Sequence, residues 1–179
     1  MSGNRAMGWR GEPLGEAERR ALEAFYDADL GGVRLHAGLF ARGITRLLGA
    51  SAVTLGRRVF FSPGGWRTCS ARGRRGIELL GHEAAHVLQY RREGLLPMLV
   101  RYLASYARTR ARGAGHAAAY REVPYEAEAW SASDGLAELL GRLPGLDERL
   151  RAGGRPEAGE LLELAACGRR LRPVARERG

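Results

Sequence analysis

Residues 76–91 read GIELLGHEAAHVLQYR and form the most strongly periodic stretch of the chain. Its large and small apolar side chains fall on one stripe at helical spacing: Ile77, Leu80, Ala84, Val87 and Leu88. A stripe of this period is typical of a helix that packs against a core. Gly94 follows shortly afterwards, and glycine commonly ends helices. The stretch therefore predicts a core helix against which the remaining elements must pack.

The same helix carries the pattern His82-Glu83-Ala84-Ala85-His86. Because a helix turns about 100° per residue, His82 and His86 project from one face, one turn apart, and can meet a single metal ion. Glu83 is rotated about 100° from His82, so its carboxylate can reach a water beside that metal more readily than the metal itself. The pattern predicts Zn²⁺ held by His82 and His86, with Glu83 as the general base.

A catalytic zinc needs a third protein ligand, with the fourth position left for water. Position 92 is Arg92 rather than histidine, which excludes the metzincin continuation of the pattern. Glu126 and Glu128 both lie at the start of a helix predicted to begin near Pro124, since proline suits a first turn. They point about 200° apart around that helix, so only one of them can face the site. Spacing alone leaves both as candidates.

The elements around this core helix alternate in type in the first half of the chain. Periodicity and turn residues predict a first helix from Glu16 that ends near Asp29-Leu30-Gly31-Gly32. They predict further helices over residues 39–48, 95–106, 124–140, 147–151 and 156–167. They predict strands over residues 33–36, 52–55 and 59–61. The last two form a hairpin with Gly56-Arg57-Arg58 as its turn, and Ser62-Pro63-Gly64-Gly65 terminates the hairpin. The expected fold class is α+β, with a small antiparallel β element of two or three strands packed against a helical bundle.

The length of 179 residues and the hydrophobic content of 45% favour one compact domain. We expect a core domain over residues 13–142. Residues 1–12 lack periodicity and predict a disordered N-terminus, while residues 143–179 predict short helices and an Arg-rich tail. An Arg- and Gly-rich connector precedes residue 76, and residues 108–115 predict a flexible basic linker.

All 29 basic residues are arginine, and the formal net charge is +9. The arginines are scattered and not interleaved with aromatic residues, so nucleic-acid binding is not favoured. Residues 95–106 are strongly apolar but interrupted by Arg101, which favours a core helix over a membrane-surface element. No apolar run is long enough for a membrane span. Residues 1–15 lack the apolar segment and the cleavage pattern of a signal peptide. We therefore expect a cytoplasmic location by default, with non-classical secretion as the alternative.

Three separated blocks occur in an order that resembles a known family. They are DLGGVRLH (29–36), AVTLGRRVFF (52–61) and LLGHEAAHVLQ (79–89). Together they are similar to the extracellular contractile injection system (eCIS) core domain, whose members are assigned as zinc metallopeptidases and are often found beside toxins and injection systems. The resemblance covers residues 13–91 and 124–129. It implies a protein or peptide substrate and partner proteins of an injection apparatus or toxin system.

The segment Glu126-Ala127-Glu128-Ala129 also resembles the Glu-x-x-Ala-Asp segment of membrane-bound CaaX-type peptidases, in which the first glutamate is the metal ligand. That likeness nominates Glu126. Where the peptidase segment ends in Asp, this chain has Trp130. A carboxylate at that place can orient a ligating imidazole, and Asp134, one turn further on, is the candidate substitute.

Other polar side chains are candidates for a role near the metal. His116 is interpreted as a solvated loop histidine, with transition-state hydrogen bonding as the alternative. Tyr120 and Tyr125 could stabilise an oxyanion, although packing is the more common use of tyrosine.

The sequence predicts a zinc metallopeptidase that hydrolyses peptide bonds. Zn²⁺ would lower the pKa of a water and polarise the peptide carbonyl, while Glu83 takes the water's proton and delivers it to the leaving amine. A noncatalytic zinc-containing interaction or assembly module is the alternative, which Trp130 favours. An Arg-rich module that binds nucleic acid or an anionic membrane is a third interpretation.

Overall fold

The computed structural model describes residues 11–171, in which helices and strands mix only in the first half. The helices are α1 (Glu16–Tyr26), α2 (Leu39–Leu48), α3 (Pro63–Ser70), α4 (Arg74–Glu93), α5 (Leu95–Ala111), α6 (His116–Arg121), α7 (Pro124–Arg142), α8 (Pro144–Arg151) and α9 (Ala158–Leu171). The strands are β1 (Glu12–Pro13), β2 (Arg34–His36), β3 (Ala52–Leu55) and β4 (Arg58–Phe61). The predicted α+β class is confirmed.

The four strands form one mixed sheet in the order β1-β2-β4-β3. The β3–β4 hairpin is antiparallel as predicted, but β2 pairs with β4 in parallel, and β1 adds an antiparallel edge. The prediction of a purely antiparallel element of two or three strands was therefore wrong. Parallel neighbours need a crossover of a dozen or more residues. Residues 37–57, which contain α2 and β3, supply it.

Helix α4 lies between the sheet and the other helices, and it packs most extensively against α7 and α3 and against β3. Its predicted apolar stripe contributes Ile77, Leu80, Ala84 and Val87 to the main hydrophobic core. A Cβ atom at Gly81 would lie 2.9 Å from the side chain of Leu136 in α7. The missing side chain thus allows α7 to approach α4 closely, one residue before His82.

The C-terminal helices complete the same core. Leu146 and Leu150 of α8 and Leu164 of α9 are buried with the core residues of α1 and α4. A Cβ atom at Gly168 in α9 would overlap the backbone oxygen of Phe25 in α1. Glycine at 168 is therefore what allows these two helices to touch.

Several boundaries differ from those predicted. The Ser62-Pro63-Gly64-Gly65 segment follows the end of the hairpin, as predicted, but it also begins α3, a helix that was not predicted. The Ser62 side chain accepts a hydrogen bond from the Gly65 amide at 3.1 Å. Two adjacent glycines masked that helix in the sequence, because glycine disfavours helices. The predicted linker over 108–115 is partly helical, since α5 continues to Ala111.

Parts of the predicted terminal segments fall outside residues 11–171, namely residues 1–10 and residues 172–179. Glu12, which was assigned to the disordered N-terminus, pairs with Leu35 in the sheet. Within the described range, no helix combines the length and apolarity that a membrane crossing requires.

Candidate metal centre

Three buried side chains from two helices converge on one point. His82 and His86 project from α4, and Glu126 reaches them from the first turn of α7. The two Nε2 atoms are 3.2 Å apart. The Glu126 carboxylate places Oε2 3.3 Å from His82 Nε2 and Oε1 3.5 Å from His86 Nε2. Each residue thereby directs a ligand atom to a common site.

The spacing of these atoms fits a tetrahedral zinc ion. Zn–N and Zn–O bonds of about 2.0–2.1 Å at tetrahedral angles put neighbouring ligand atoms about 3.3–3.4 Å apart. The three observed separations of 3.2, 3.3 and 3.5 Å agree with that value. Two imidazoles and one carboxylate are also the donor set of a zinc site that keeps one position open. The residues present therefore fit the predicted ion.

Gln89 fixes the orientation of the His86 ring. It is 1% exposed, and its Oε1 lies 2.8 Å from His86 Nδ1. Its amide nitrogen donates to the Tyr125 carbonyl at 3.0 Å and to the Glu128 carboxylate at 3.1 Å, both of which can only accept. The amide therefore turns its oxygen to His86, which must carry its proton on Nδ1. That tautomer leaves the Nε2 lone pair free for a metal.

His82 has no equivalent support. Its Nδ1 is buried and has no hydrogen-bond partner within residues 11–171. The ring instead packs against Trp130, with ring centroids 4.7 Å apart. Asp134, the predicted substitute for the carboxylate missing at Trp130, is exposed and does not pair with this nitrogen. The two histidines thus differ in how firmly hydrogen bonds hold them.

Glu126 is 3% exposed and charged in spite of that burial. Burial by itself would raise its pKa, but hydrogen bonds to His82 and His86 and their charges hold the pKa well below its usual value. The Tyr102 hydroxyl of α5 also donates to Oε1 at 3.0 Å. Burial and the charge of Glu126 raise the pKa of Tyr102 and of Tyr120, so both phenols stay protonated and can act as donors.

Glu83 lies next to His82 in α4, on the side of the helix that faces the sheet. Its Oε2 accepts a 2.6 Å hydrogen bond from the Thr54 hydroxyl in β3, and the side chain is buried. The sheet therefore holds one carboxylate oxygen of Glu83 and separates this group from the pair of histidines. Glu83 is accordingly not one of the three residues whose ligand atoms converge.

The first part of the chain matches a known family model. Residues 13–94 match the eCIS core domain. The matched range contains the sheet, α1 to α3 and nearly all of α4, with His82, Glu83 and His86, while Glu126 lies beyond its end. No curated protein and no solved structure matches the chain. The resemblance drawn from the three sequence blocks is supported for this part of the chain.

The remaining predicted residues lie around the site formed by His82, His86 and Glu126 rather than in it. Glu128 points outward, where Arg92 donates to it at 3.1 and 3.2 Å. The Tyr125 hydroxyl donates to Glu93, so its ring is turned away from the histidines. His116 begins α6 rather than lying in a flexible loop, is exposed, and its Nδ1 is 2.8 Å from the Tyr106 hydroxyl.

Two contacts to the site had no sequence signal that pointed to them. Tyr102 lies in a helix that was interpreted as a core helix, which was wrong because most of the large apolar side chains of α5 are exposed. Thr54 lies in a strand that alternates normally. Gln89 was visible as a residue one turn after His86, but a glutamine on a helix is ordinary. Only its complete burial identifies it as a partner of the site.

Proposed function

We propose that the protein is a zinc-dependent metallopeptidase of the eCIS core kind, which hydrolyses peptide bonds in a protein or peptide. What supports this function is the convergence of His82, His86 and Glu126 within 3.5 Å of one another, with a buried carboxylate, Glu83, on the next residue of the helix. Zinc held there would act as a Lewis acid toward the substrate carbonyl and make a water more acidic.

Glu83 takes the part of the general base. With Oε2 held by the Thr54 hydroxyl, the other oxygen is left to accept a proton from the attacking water. The same oxygen returns that proton to the nitrogen of the leaving amine, so the carboxylate ends the cycle unchanged. Tyr120, kept protonated by burial and by Glu126, is a hydrogen-bond donor suited to negative charge on the carbonyl oxygen, while the Tyr102 hydroxyl stays bonded to Glu126.

The substrates and partners proposed are proteins of an injection apparatus or of a toxin system. This assignment is supported by the eCIS core match over residues 13–94.

A noncatalytic zinc-containing assembly module is the second candidate. Two observations favour it: the triad is buried, and among the described residues His82 Nδ1 has no hydrogen-bond partner. Metal affinity and turnover commonly depend on such partners. In this case zinc would join α4 to α7, and Glu83 would simply anchor α4 to the sheet through Thr54.

The variant Glu83→Gln separates these functions. An amide of nearly the same volume can still bond to Thr54 but cannot accept a proton, so zinc content should be kept and hydrolysis lost. Purified parent and variant are incubated with unfolded proteins and with injection-system proteins, with and without a chelator, and cleavage is followed by mass spectrometry. Glu128→Gln is the matched control and should keep full activity. Cleavage that survives both the chelator and Glu83→Gln would refute the peptidase mechanism, and a zinc-loaded parent that cuts nothing would favour the assembly module.

A further inference from the structure

Helix α2 presents its apolar side to the outside of the molecule. Leu39 and Leu47 are each 85% exposed, and Phe40 is 64% exposed, whereas the buried residues of this helix are Ala41 and Thr45. At about 100° per residue, the three large side chains fall within an arc of about 100°. The centre of that arc points about 170° away from the buried pair. The helix therefore covers the sheet with small side chains and directs its large apolar ones outward.

This arrangement is not explained by the stability of the fold. Exposed leucines contribute nothing to the core, and a patch of them carries an aggregation risk unless something covers it. Phe40 touches Phe60 edge to face with ring centroids 5.6 Å apart, yet most of its ring remains outside. Leu48 and Leu55 extend the apolar surface at its border and are 53% and 38% exposed.

The charged residues on either side of α2 in the sequence are all positive. Residues 30–77 contain nine arginines and neither Asp nor Glu. Arg42 and Arg46 lie along one edge of the apolar arc, and both are exposed. Among the ion pairs of residues 11–171, neither of these two arginines has a carboxylate partner. Their charges are thus available to an anionic surface.

We propose that the outward face of α2 docks the protein peripherally on an anionic lipid bilayer, with Leu39, Phe40 and Leu47 inserted and the arginines on lipid phosphates. This surface is independent of the metal centre and goes beyond the proposed peptidase. A helix with a broad apolar face and arginines beside it lies in the plane of the membrane interface, with its apolar face about 5–10 Å into the headgroup boundary. Arginine reaches the headgroups from such a position because its stem is long and apolar.

A bilayer fits these observations better than an acidic protein does. The apolar residues stand on a ridge that faces away from the sheet, and a ridge enters a fluid acyl boundary without a preformed groove. Arg72 and Arg74 pair with carboxylates, but the other seven arginines of residues 30–77 form no ion pair within residues 11–171. Their charges are all positive, so a uniformly negative surface attracts them whatever the rotation of the protein about the membrane normal. A folded protein partner would instead reward a specific pattern of both signs.

The test is flotation of the full-length chain with vesicles of phosphatidylcholine alone and of phosphatidylcholine mixed with phosphatidylglycerol. We expect binding to the mixed vesicles, weakened by salt, and little binding to the neutral ones. Leu39→Ser with Leu47→Ser should weaken binding roughly tenfold or more, because two inserted side chains are lost. Arg42→Gln with Arg46→Gln should weaken it roughly 30-fold and reduce its salt dependence, at about fivefold per arginine.

The matched control changes the other exposed apolar helix. Leu96 and Val100 of α5 are 71% and 64% exposed, and replacing both by serine should leave vesicle binding unchanged. All variants alter exposed side chains, so their thermal unfolding should match the parent's. The proposal is overturned if the parent does not float with anionic vesicles, or if the α5 variant loses binding while the α2 variants keep it. Retention on polyglutamate that depends on Leu39 and Leu47, without vesicle binding, would also overturn it in favour of an acidic protein partner.

Discussion

Replacing Gln89 by leucine should weaken zinc binding without touching a metal ligand. Leucine has a similar volume and suits a helix, so α4 itself should persist. The change removes three hydrogen bonds: to His86 Nδ1 at 2.8 Å, to the Tyr125 carbonyl at 3.0 Å and to Glu128 at 3.1 Å. It leaves the His86 ring free to rotate and to place its proton on either nitrogen.

The magnitude follows from the groups that the change strands. One of them, His86 Nδ1, is then left unpaired in a buried environment, at about 1–3 kcal/mol, whereas the Tyr125 carbonyl lies in the first turn of α7 and keeps its helical hydrogen bond. The free energy of unfolding should therefore fall by about 1–3 kcal/mol. Loss of a partner that orients a ligating histidine typically weakens metal affinity about 10–100-fold.

The assay is a zinc titration against a competing chelator, combined with urea unfolding of the metal-free chain. Glu128→Gln is the control, since it alters only the half-exposed end of the same network and should change unfolding by about 1 kcal/mol or less. Zinc affinity in Gln89→Leu within threefold of the parent would refute the assignment of Gln89 as the residue that orients His86. An equal loss in Glu128→Gln would place the effect in the surface network instead.

Three other expectations concern the ligand set, the effect of pH and the packing of the C-terminal helix. Glu126→Ala should reduce the zinc content to well below one equivalent per chain, whereas Glu128→Ala should leave the zinc content unchanged, because only Glu126 faces the histidines. Metal analysis of the purified variants measures this difference. In the metal-free chain, burial lowers the pKa of His86, but Glu126 and Glu83 outweigh it and raise the pKa to about 9. That stabilisation is complete below about pH 6.5 and is lost as pH rises through about 9, so urea unfolding should become easier over this range. Gly168→Ala should lower the free energy of unfolding by about 2 kcal/mol or more, because its methyl group would overlap the backbone of α1. A methyl group at Gly159, in the same helix, meets no atom within 4 Å, so Gly159→Ala should raise the free energy of unfolding by up to about 1 kcal/mol. Thermal unfolding of the two variants measures the difference.

Each of these has a result that contradicts it. Full zinc in Glu126→Ala, with loss in Glu128→Ala, would mean that the start of α7 is rotated relative to the site. A metal-free chain whose stability is flat or rises from pH 6.5 to 9 would contradict the proposed pairing of His86 with Glu126. Equal effects of Gly168→Ala and Gly159→Ala would contradict the close contact of α9 with α1.

The chemistry of α4 was readable in the sequence because helical geometry is local. Five consecutive residues place His82 and His86 on one face, and no distant contact is needed for this. The start of α1 and both bounds of α2 were predicted correctly for the same reason, since the apolar period and flanking glycines act over a few residues. Helix α1 ends at Tyr26, a few residues before the predicted end near Asp29, because Asp27 adopts the left-handed conformation there. The helix α3 was missed where two adjacent glycines outweighed the capping signal of Ser62.

The sequence by itself determined the pair of histidines, the carboxylate of Glu83 beside them and the prediction of a third ligand from elsewhere. Tertiary structure decided that Glu126 supplies it from about 40 residues away, that Gln89 turns the His86 ring and that Thr54 holds Glu83. It also decided that β2 pairs in parallel with β4 and that α2 turns its leucines outward. The physical reason is range. Helical phase is set by backbone dihedrals within one or two turns, whereas convergence of α4 with α7 depends on packing between segments that no local period relates.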